Sequence, residues 1–257
     1  EAGRFAEPEK ALERALALQE EGADLIELIA QTPRPGKLTE AEEIRRLAGV
    51  VKKLKKQVDA PLIVETWKSA VAEKVLDNGA DAIRDISGLA WDPDLAKVTV
   101  RFDAALILNH LRGTPENWNA PPGVLDVVDQ TVTGLGAAAH RANRANVDRK
   151  RVAVDISFGF GKRRDHHQQM IALLPHFMSL ELPLIAGPTG QAWLQKSGEE
   201  ELASVQAAAT AACVISGAHM VRVHDVASLK PVTELADALV AAQPATVRTQ
   251  TSGPPPL

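Results

Sequence analysis

The segment VDISFGFGK, residues 154–162, carries a carboxylate and a cation on either side of a glycine-containing loop. Asp155 ends an apolar run, and Lys162 follows seven residues later. Glycine allows a loop to adopt backbone angles that other residues disfavour. A glycine-rich loop alone is a weak signal, but the charged side chain at the end of the run makes this loop a candidate for ligand binding.

A second group of charged residues lies in MVRVHD, residues 220–225. If this segment is a strand, alternation places Arg222 and His224 on one face and the two valines on the other. An inward arginine needs an anion, either a neighbouring carboxylate or a ligand phosphate. Pairing with a carboxylate is commoner in proteins, but two potential cations on one face favour an anion site here. Arg34, between two prolines in TPRPGK (32–37), is a further candidate.

Polar side chains end six of the seven strand-like runs. They are Glu27; Glu65 and Thr66; Arg84 and Asp85; Asn109 and His110; Asp155 and Ser157; and Arg222, His224 and Asp225. Capping of the next helix explains a single polar strand end, whereas six are better explained by one functional edge. Another polar loop, HLRGTPENW (110–118), carries Arg112, for which a solvated position is one interpretation.

The elements that must position these side chains alternate along the chain. Strand-like runs begin near residues 24, 60, 81, 104, 151, 183 and 219, and helical patterns cover roughly 7–21, 40–57, 68–79, 92–101, 122–146, 166–180, 199–216 and 226–242. Strict alternation predicts parallel βαβ units, and near-continuous apolar strands predict a sheet covered on both faces. The predicted fold is an α/β (β/α)8 TIM barrel, with a doubly wound sheet as the alternative.

Eight helical patterns but seven strand-like runs leave the first barrel strand unaccounted for. We expect this strand before Glu1, although ATVRTQ (245–250) could also enter the empty position. The favoured interpretation of residues 243–257 is a disordered C-terminal tail. Residues 1–242 are predicted to form one domain.

Composition narrows the function classes. The chain has 257 residues and a formal net charge of -4, which gives no reason to expect nucleic-acid binding. No apolar run reaches the length of a membrane span, and the N-terminal residues do not resemble a signal peptide. The single cysteine, Cys213, excludes an intramolecular disulfide, fits a reducing cytoplasm and is predicted to be a small packing residue.

The order of these segments resembles that of dihydropteroate synthase, in the pterin-binding family, over nearly the whole chain. The matching segments are EEGADLIELIAQTPRPG, PLIVETWKSAVAEKVLDNGADAIRDISG, LILNHLRGTPENW, DISFGFGK, PLIAGP and VRVHDV. The resemblance implies a (β/α)8 transferase of folate biosynthesis that joins p-aminobenzoate to a pterin methyl diphosphate and releases pyrophosphate, aided by Mg²⁺. It also implies a cytoplasmic homodimer.

The resemblance implies a role for each matching residue. Asp155, Arg84, Glu65 and Phe158 would contact the pterin; Thr32, Pro33 and Phe158 would line the p-aminobenzoate site; Arg34, Arg222 and His224 would hold the phosphates; and Asp155, Glu65 and Asp85 would be the catalytic groups. The metal ligands stay unknown, because the family's Asn-containing loop is absent from this sequence.

Several residues depart from the family pattern. The family's Asp-Thr is Glu65-Thr66 here, its Asn-Asp is Arg84-Asp85, its Asp-Pro-Gly is Asp155-Ile156-Ser157, and its Ser-Arg-Lys aligns with Thr189-Gly190-Gln191. A lost charge-assisted hydrogen bond weakens binding by roughly 10–100-fold. The sequence therefore predicts a transferase impaired by substitutions in its pocket.

Two alternatives remain open at the level of the sequence. In a repurposed or designed barrel, Glu65 among Ile63, Ile29 and Trp67 could have a raised pKa and act as a general base. The competing interpretation of Glu65 is an ion pair with Arg84 that closes the pocket. The second alternative is a non-catalytic binding or scaffold protein with the same fold.

Overall fold

The computed structural model describes residues 5, 7–30, 38–113, 123–189 and 199–244, with the backbone alone for 199–201. The strands are β1 (Ile26–Ile29), β2 (Leu62–Glu65), β3 (Ala82–Asp85), β4 (Ala105–Asn109), β5 (Val152–Asp155), β6 (Leu184–Ala186) and β7 (Met220–Val221). The helices are α1 (Pro8–Glu20), α2 (Glu40–Leu54), α3 (Ser69–Asp77), α4 (Asp94–Arg101), α5 (Val127–Arg144), α6 (Arg164–Ala172), α7 (Glu199–Ile215) and α8 (Val226–Ala242). Short 3-10 segments cover Arg149–Arg151 and Leu174–Leu180.

Within each part of the chain described below, strand order follows chain order: β1 to β4 in one and β5 to β7 in the other. The chain divides into two compact units. The first unit comprises Glu1–Asn109 with Ala138–Val152, and the second comprises His110–Ala137 with Ala153–Leu257. The prediction of one domain over 1–242 stays a prediction.

In the first unit, the strands β1 to β4 are parallel neighbours. Glu65 at the end of β2 pairs in register with Ile29 on one side and with Arg84 on the other. Because parallel strands end at the same edge of a sheet, this register places Glu65 and Arg84 side by side at the carboxyl edge of the unit.

In the second unit, β5 pairs with β6 through Asp155 and Ile185, and β6 pairs with β7 through Ala186 and Val221. The last strand is shorter than predicted, because β7 ends at Val221. Arg222 still donates its backbone N–H to the Ala186 carbonyl of β6 at 2.8 Å, whereas His224 lies beyond the strand and is exposed, so the period-two argument does not extend to His224.

The strand interiors are apolar and inaccessible to solvent, as expected for a parallel sheet between helices. Wholly buried side chains include Leu62, Val64, Ile83, Leu106, Leu108, Val154 and Leu184. Cys213 is also wholly buried, which confirms its predicted packing role, and burial raises the pKa of its thiol to about 12.

Helix ends explain where several elements begin. Thr39 caps α2 by accepting a hydrogen bond from the Glu42 backbone N–H at 3.2 Å, and three glutamates in the first turn favour the positive end of the helix dipole. Asp225 caps α8 by accepting from the Ser228 N–H at 3.1 Å. Capping is therefore sufficient to explain this one polar strand end.

The alternation of parallel strands and helices confirms the predicted (β/α)8 fold class. The first strand expected before Glu1 and the alternative strand at 245–250 lie outside the described residues. Within the described part of the chain, none of the helices is both long and apolar enough to cross a membrane.

Candidate functional site

Asp155, at the end of β5 in the second unit, is a wholly buried carboxylate that accepts several hydrogen bonds. Its Oδ1 accepts from the Ser157 backbone N–H at 2.7 Å, and its Oδ2 accepts from Arg222 Nη1 at 2.8 Å. Arg222 is one quarter exposed. The sequence left two possible anions for Arg222, a neighbouring carboxylate or a ligand phosphate. In this structure Arg222 contacts a carboxylate, which is the commoner arrangement in proteins.

The loop after Asp155 has an unusual backbone. Ser157, Gly159, Phe160 and Gly161 have φ values of 52°, 96°, 48° and 79°. Such left-handed angles are disfavoured for residues with a side chain, so the loop must be held by its surroundings. Glycine is required at 161, because a Cβ there would lie 2.2 Å from the Arg112 carbonyl oxygen.

Lys162 ties this loop to the segment that follows β4. Its buried ammonium donates to the Ser157 carbonyl at 2.9 Å and to the His110 carbonyl at 2.7 Å. Burial lowers the pKa of Lys162 to about 7; the Asp155 carboxylate opposes that shift, and Arg112 adds to it. Lys162 is therefore a buried group that anchors the loop.

Arg112 is buried, so the solvated interpretation of this residue was wrong. Its backbone N–H donates to the Phe160 carbonyl at 2.9 Å, and its Nη1 donates to the Gly161 carbonyl at 3.2 Å. Its Nε donates to Gln130 Oε1 at 2.8 Å. The contacts with Phe160 and Gly161 fix the segment after β4 against the loop that follows Asp155, and sequence patterns missed them because these two segments lie about fifty residues apart.

His110 precedes Arg112 and lies against α5. A Cβ at Gly134 would be 2.4 Å from the His110 ring, so glycine there provides the space for the imidazole. Burial, Lys162 and Arg112 together lower the pKa of His110 to about 2. His110 is a neutral ring at physiological pH. A cavity of ≈ 120 Å³ is lined by His110, Leu111, Arg112, Gly113 and Gln130.

Phe158, which was predicted to line the p-aminobenzoate site, is almost fully buried in the second unit. Its ring meets the ring of His167 edge-on, with centroids 5.6 Å apart and an interplanar angle of 79°. His167 also accepts from the Gly159 N–H at 2.9 Å. The sequence offered no signal for His167, because RRDHHQQ reads as an ordinary polar helix start.

In the first unit, Arg84 lies between two carboxylates. Its Nη1 donates to Glu65 Oε2 and, at 3.1 Å, to Glu27 Oε1. Arg84 and Glu65 are only 3% and 6% exposed. The structure therefore contains the Glu65–Arg84 ion pair weighed from the sequence, and Glu65 is an anion bound to a guanidinium.

Asp85, predicted as a catalytic group, stabilises a turn. Its carboxylate accepts from the backbone N–H groups of Ser87 and Leu89. Burial raises the pKa of Asp85, an effect opposed by these hydrogen bonds and by Arg141. Thr66, next to the end of β2, accepts from the Lys68 N–H at 3.3 Å.

Lys68 was not singled out from the sequence, yet it forms a partly buried ion pair. Its Nζ lies 2.6 Å from Glu43 Oε2, and Glu43 is wholly buried. The Lys68 ammonium also lies 5.0 Å from the Trp67 ring centroid, and Trp67 meets Trp91 edge-on at 5.4 Å. The tryptophans follow β2 and β3, so they lie at the same edge of the first unit as Glu65.

The remaining predicted residues lie elsewhere. His224 is exposed on the segment between β7 and α8. Thr32, Pro33, Arg34, Gly190 and Gln191 lie outside the described residues.

The described residues do not form a preassembled metal site. The described ranges contain no group of three or more His, Cys, Asp or Glu side chains that could hold a metal ion. The buried carboxylates at the strand ends already accept from Arg84, Arg222 or backbone N–H groups. Mg²⁺ in proteins is usually held by one or two carboxylates together with substrate phosphates, so these carboxylates would share their oxygens between the ion and their present donors.

Comparison with known proteins places this geometry in a family. The model of the family described as "Pterin binding enzyme" matches residues 1–224. Dihydropteroate synthase of Synechocystis sp. is 28% identical over 243 residues, which cover 92% of this chain and 84% of that protein.

Solved structures agree with this assignment. Dihydropteroate synthase of Yersinia pestis in complex with a sulfonamide drug has a TM-score of 0.88 and 27% identity, over 94% of this chain and 89% of that chain. The enzyme of Xanthomonas albilineans in complex with 7,8-dihydropteroate has a TM-score of 0.82 and 28% identity, over 92% and 89%. The chain belongs to the pterin-binding enzyme family, among relatives that are dihydropteroate synthases.

Proposed function

We propose that this chain is a transferase of the dihydropteroate synthase type, acting in folate biosynthesis. The amine nitrogen of p-aminobenzoate forms a bond to the methylene carbon of a pterin methyl diphosphate. The carbon–oxygen bond to the diphosphate breaks, pyrophosphate leaves with the bonding electrons, and the amine gives up a proton. The leaving group is already a stabilised anion, so the reaction depends more on orientation than on acid–base groups.

The observation that carries this proposal is the Asp155 carboxylate. It is wholly buried and held in one orientation by Ser157 and Arg222 at the end of β5. A fixed carboxylate suits the adjacent N–H donors of an aminopyrimidine ring, because its two oxygens can accept both in parallel.

The other roles follow from the resemblance and remain part of the proposal. Arg222 and His224 would hold the phosphates with Arg34, Phe158 would line the p-aminobenzoate site with Thr32 and Pro33, and Glu65, Arg84 and Asp85 would complete the pterin site. Assembly as a homodimer, location in the cytoplasm and a need for Mg²⁺ are expectations from the resemblance only.

Titration calorimetry with a pterin and with pyrophosphate tests the ligand assignment, and a pyrophosphate-release assay with p-aminobenzoate tests turnover. We expect Asp155→Asn to weaken pterin binding by about 10–100-fold, because it replaces a charged acceptor by an amide. Absence of binding by the unaltered protein would overturn the ligand assignment. Binding without coupled product would overturn the activity.

Arg84 and the two carboxylates that it contacts, Glu27 and Glu65, form a largely buried group that we call the Arg84 cluster. This cluster favours a second candidate, a pterin-binding barrel with impaired or no turnover. Arg84 can only donate hydrogen bonds, and Glu65 already accepts from it. A general-base role for Glu65 is the less favoured form of this candidate, because that carboxylate is held by a guanidinium.

The double variant Glu65→Asp with Arg84→Asn tests the impaired form, since it restores the residue pair that the family resemblance leads us to expect. If the substitutions limit turnover, the variant gains kcat/KM by about tenfold or more, with Glu65→Asp alone as the control. An unchanged or lower kcat/KM would mean that the Arg84 cluster does not limit the reaction.

A further inference from the structure

The loop 156–161 is held from several sides in an unfavourable backbone conformation. Ser157 and Phe160 are not glycines, yet both have left-handed φ values. Such conformations persist where neighbouring groups determine the backbone, and they cluster at binding sites. Lys162 and Arg112 hold two sides of this loop, and a histidine on α6 holds the third.

That histidine is His167, in the first turn of α6. Its Nε2 accepts the hydrogen bond of the Gly159 N–H at 2.9 Å, and its ring packs edge-on against Phe158. His167 is 4% exposed and Phe158 is 1% exposed, so both contacts are removed from solvent. One side chain thus fixes the backbone of the loop and the ring that precedes Gly159.

The contact with Gly159 requires a neutral imidazole, because a protonated ring nitrogen cannot accept. Burial lowers the pKa of His167 to about 4; Lys162 and His166 act in the same direction, and Asp165 opposes them. The acceptor is therefore present throughout the physiological pH range.

We infer that His167 is a positioning residue for the aromatic-amine substrate, acting through the backbone of the loop at Gly159, with the buried ring of Phe158 as part of its support. The inference rests on the proposed function for the identity of that substrate. A histidine that served only packing would affect folding alone. A positioning residue would instead change the KM for p-aminobenzoate more than the affinity for the pterin, because Gly159 lies two residues beyond Ser157, which holds Asp155.

Two substitutions separate these roles. His167→Gln keeps an acceptor at a similar reach, whereas His167→Phe keeps a ring against Phe158 but removes the acceptor. We expect His167→Phe to raise the KM for p-aminobenzoate about tenfold with kcat changed less than about threefold, and His167→Gln to restore most of the loss. His140→Phe, at an exposed position of α5, is the matched control and leaves both constants unchanged.

A second readout is independent of turnover. In wild-type protein labelled with ¹⁵N, a scalar coupling should connect the Gly159 amide nitrogen with His167 Nε2, and amide exchange over 157–161 should accelerate in His167→Phe but not in His167→Gln. Absence of the coupling, equal exchange in both variants, or equal KM values in an active protein would overturn the inference. If the wild type shows no turnover, the proposed function fails, while the coupling and exchange still decide whether His167 holds the loop.

Discussion

Arg222 donates to Asp155 over 2.8 Å, so the cation and the carboxylate predicted to meet different parts of a ligand meet each other. A phosphate that binds Arg222 would compete with this contact, and a donor group that binds Asp155 would compete from the other side. Binding of an anion should therefore leave the carboxylate more available for a pterin. If the proposed phosphate and pterin contacts form, the Arg222–Asp155 contact links them directly, and a ligand at either residue changes the electrostatics at the other.

Replacing Arg222 by Met tests this relationship. The variant leaves the buried Asp155 without its guanidinium, so we expect the free energy of unfolding to fall by about 2 kcal/mol, less than for a fully buried pair because Arg222 is one quarter exposed. Pyrophosphate binding should weaken by about 10–100-fold. Urea denaturation and calorimetry measure the two effects. Arg222→Lys should lose less stability and less pyrophosphate affinity than Arg222→Met. Unchanged stability in Arg222→Met would refute the pairing.

The Arg84 cluster predicts non-additive stability. Arg84→Met leaves Glu27 and Glu65 near each other without a counter-charge, so a loss of about 3–5 kcal/mol is expected in urea denaturation. Adding Glu65→Gln should recover part of that loss, which a double-mutant cycle measures. Arg101→Met breaks an exposed ion pair with Glu73 and should cost at most about 1 kcal/mol. Simple additivity of the Arg84 and Glu65 changes would contradict the ion pair.

Ser157 is a position where glycine should stabilise the protein. The φ of 52° is unfavourable for serine, and the contacts of its hydroxyl with Asp155, at 3.2 and 3.3 Å, are long. Ser157→Gly should raise the free energy of unfolding by about 0.5–1 kcal/mol. The same change at Ser87, whose hydroxyl accepts from the Ala90 and Trp91 N–H groups, should lower it. A loss of stability in Ser157→Gly would show that the hydroxyl outweighs the strain.

Lys162 predicts a pH dependence of stability. Its pKa is lowered to about 7 in the folded protein from 10.5, so the unfolded chain binds more protons between these values. Stability therefore rises with pH in that window, by about 1.5 kcal/mol from pH 7 to 8.5. Lys162→Met should remove this rise, whereas Lys150→Met, at an exposed position, should keep it. Urea denaturation at both pH values gives the comparison, and an equal rise in Lys162→Met would contradict the assignment.

Local patterns in the sequence were sufficient for the elements and for the position of Asp155. The helical pattern at 226–242 coincides with α8, and the run at 151 ends at Asp155 as β5 does. These features depend on the spacing of apolar residues, which reports which residues of one segment share a face. The same reasoning did not extend to His224, because β7 ends at Val221 and His224 is exposed beyond it.

The partners of the charged groups were decided by tertiary structure alone. Arg222 contacts a carboxylate 67 positions away, and Arg84 contacts Glu27 across 57 positions. The sequence allowed a carboxylate or a ligand phosphate for Arg222 and left both interpretations of Glu65 open. Periodicity describes geometry within one segment, whereas the choice of partner depends on which strands become neighbours and how deeply each charge is buried. That is why the types and order of the site residues could be read from the chain, and why the contacts of Arg222, Arg84 and His167 required the fold.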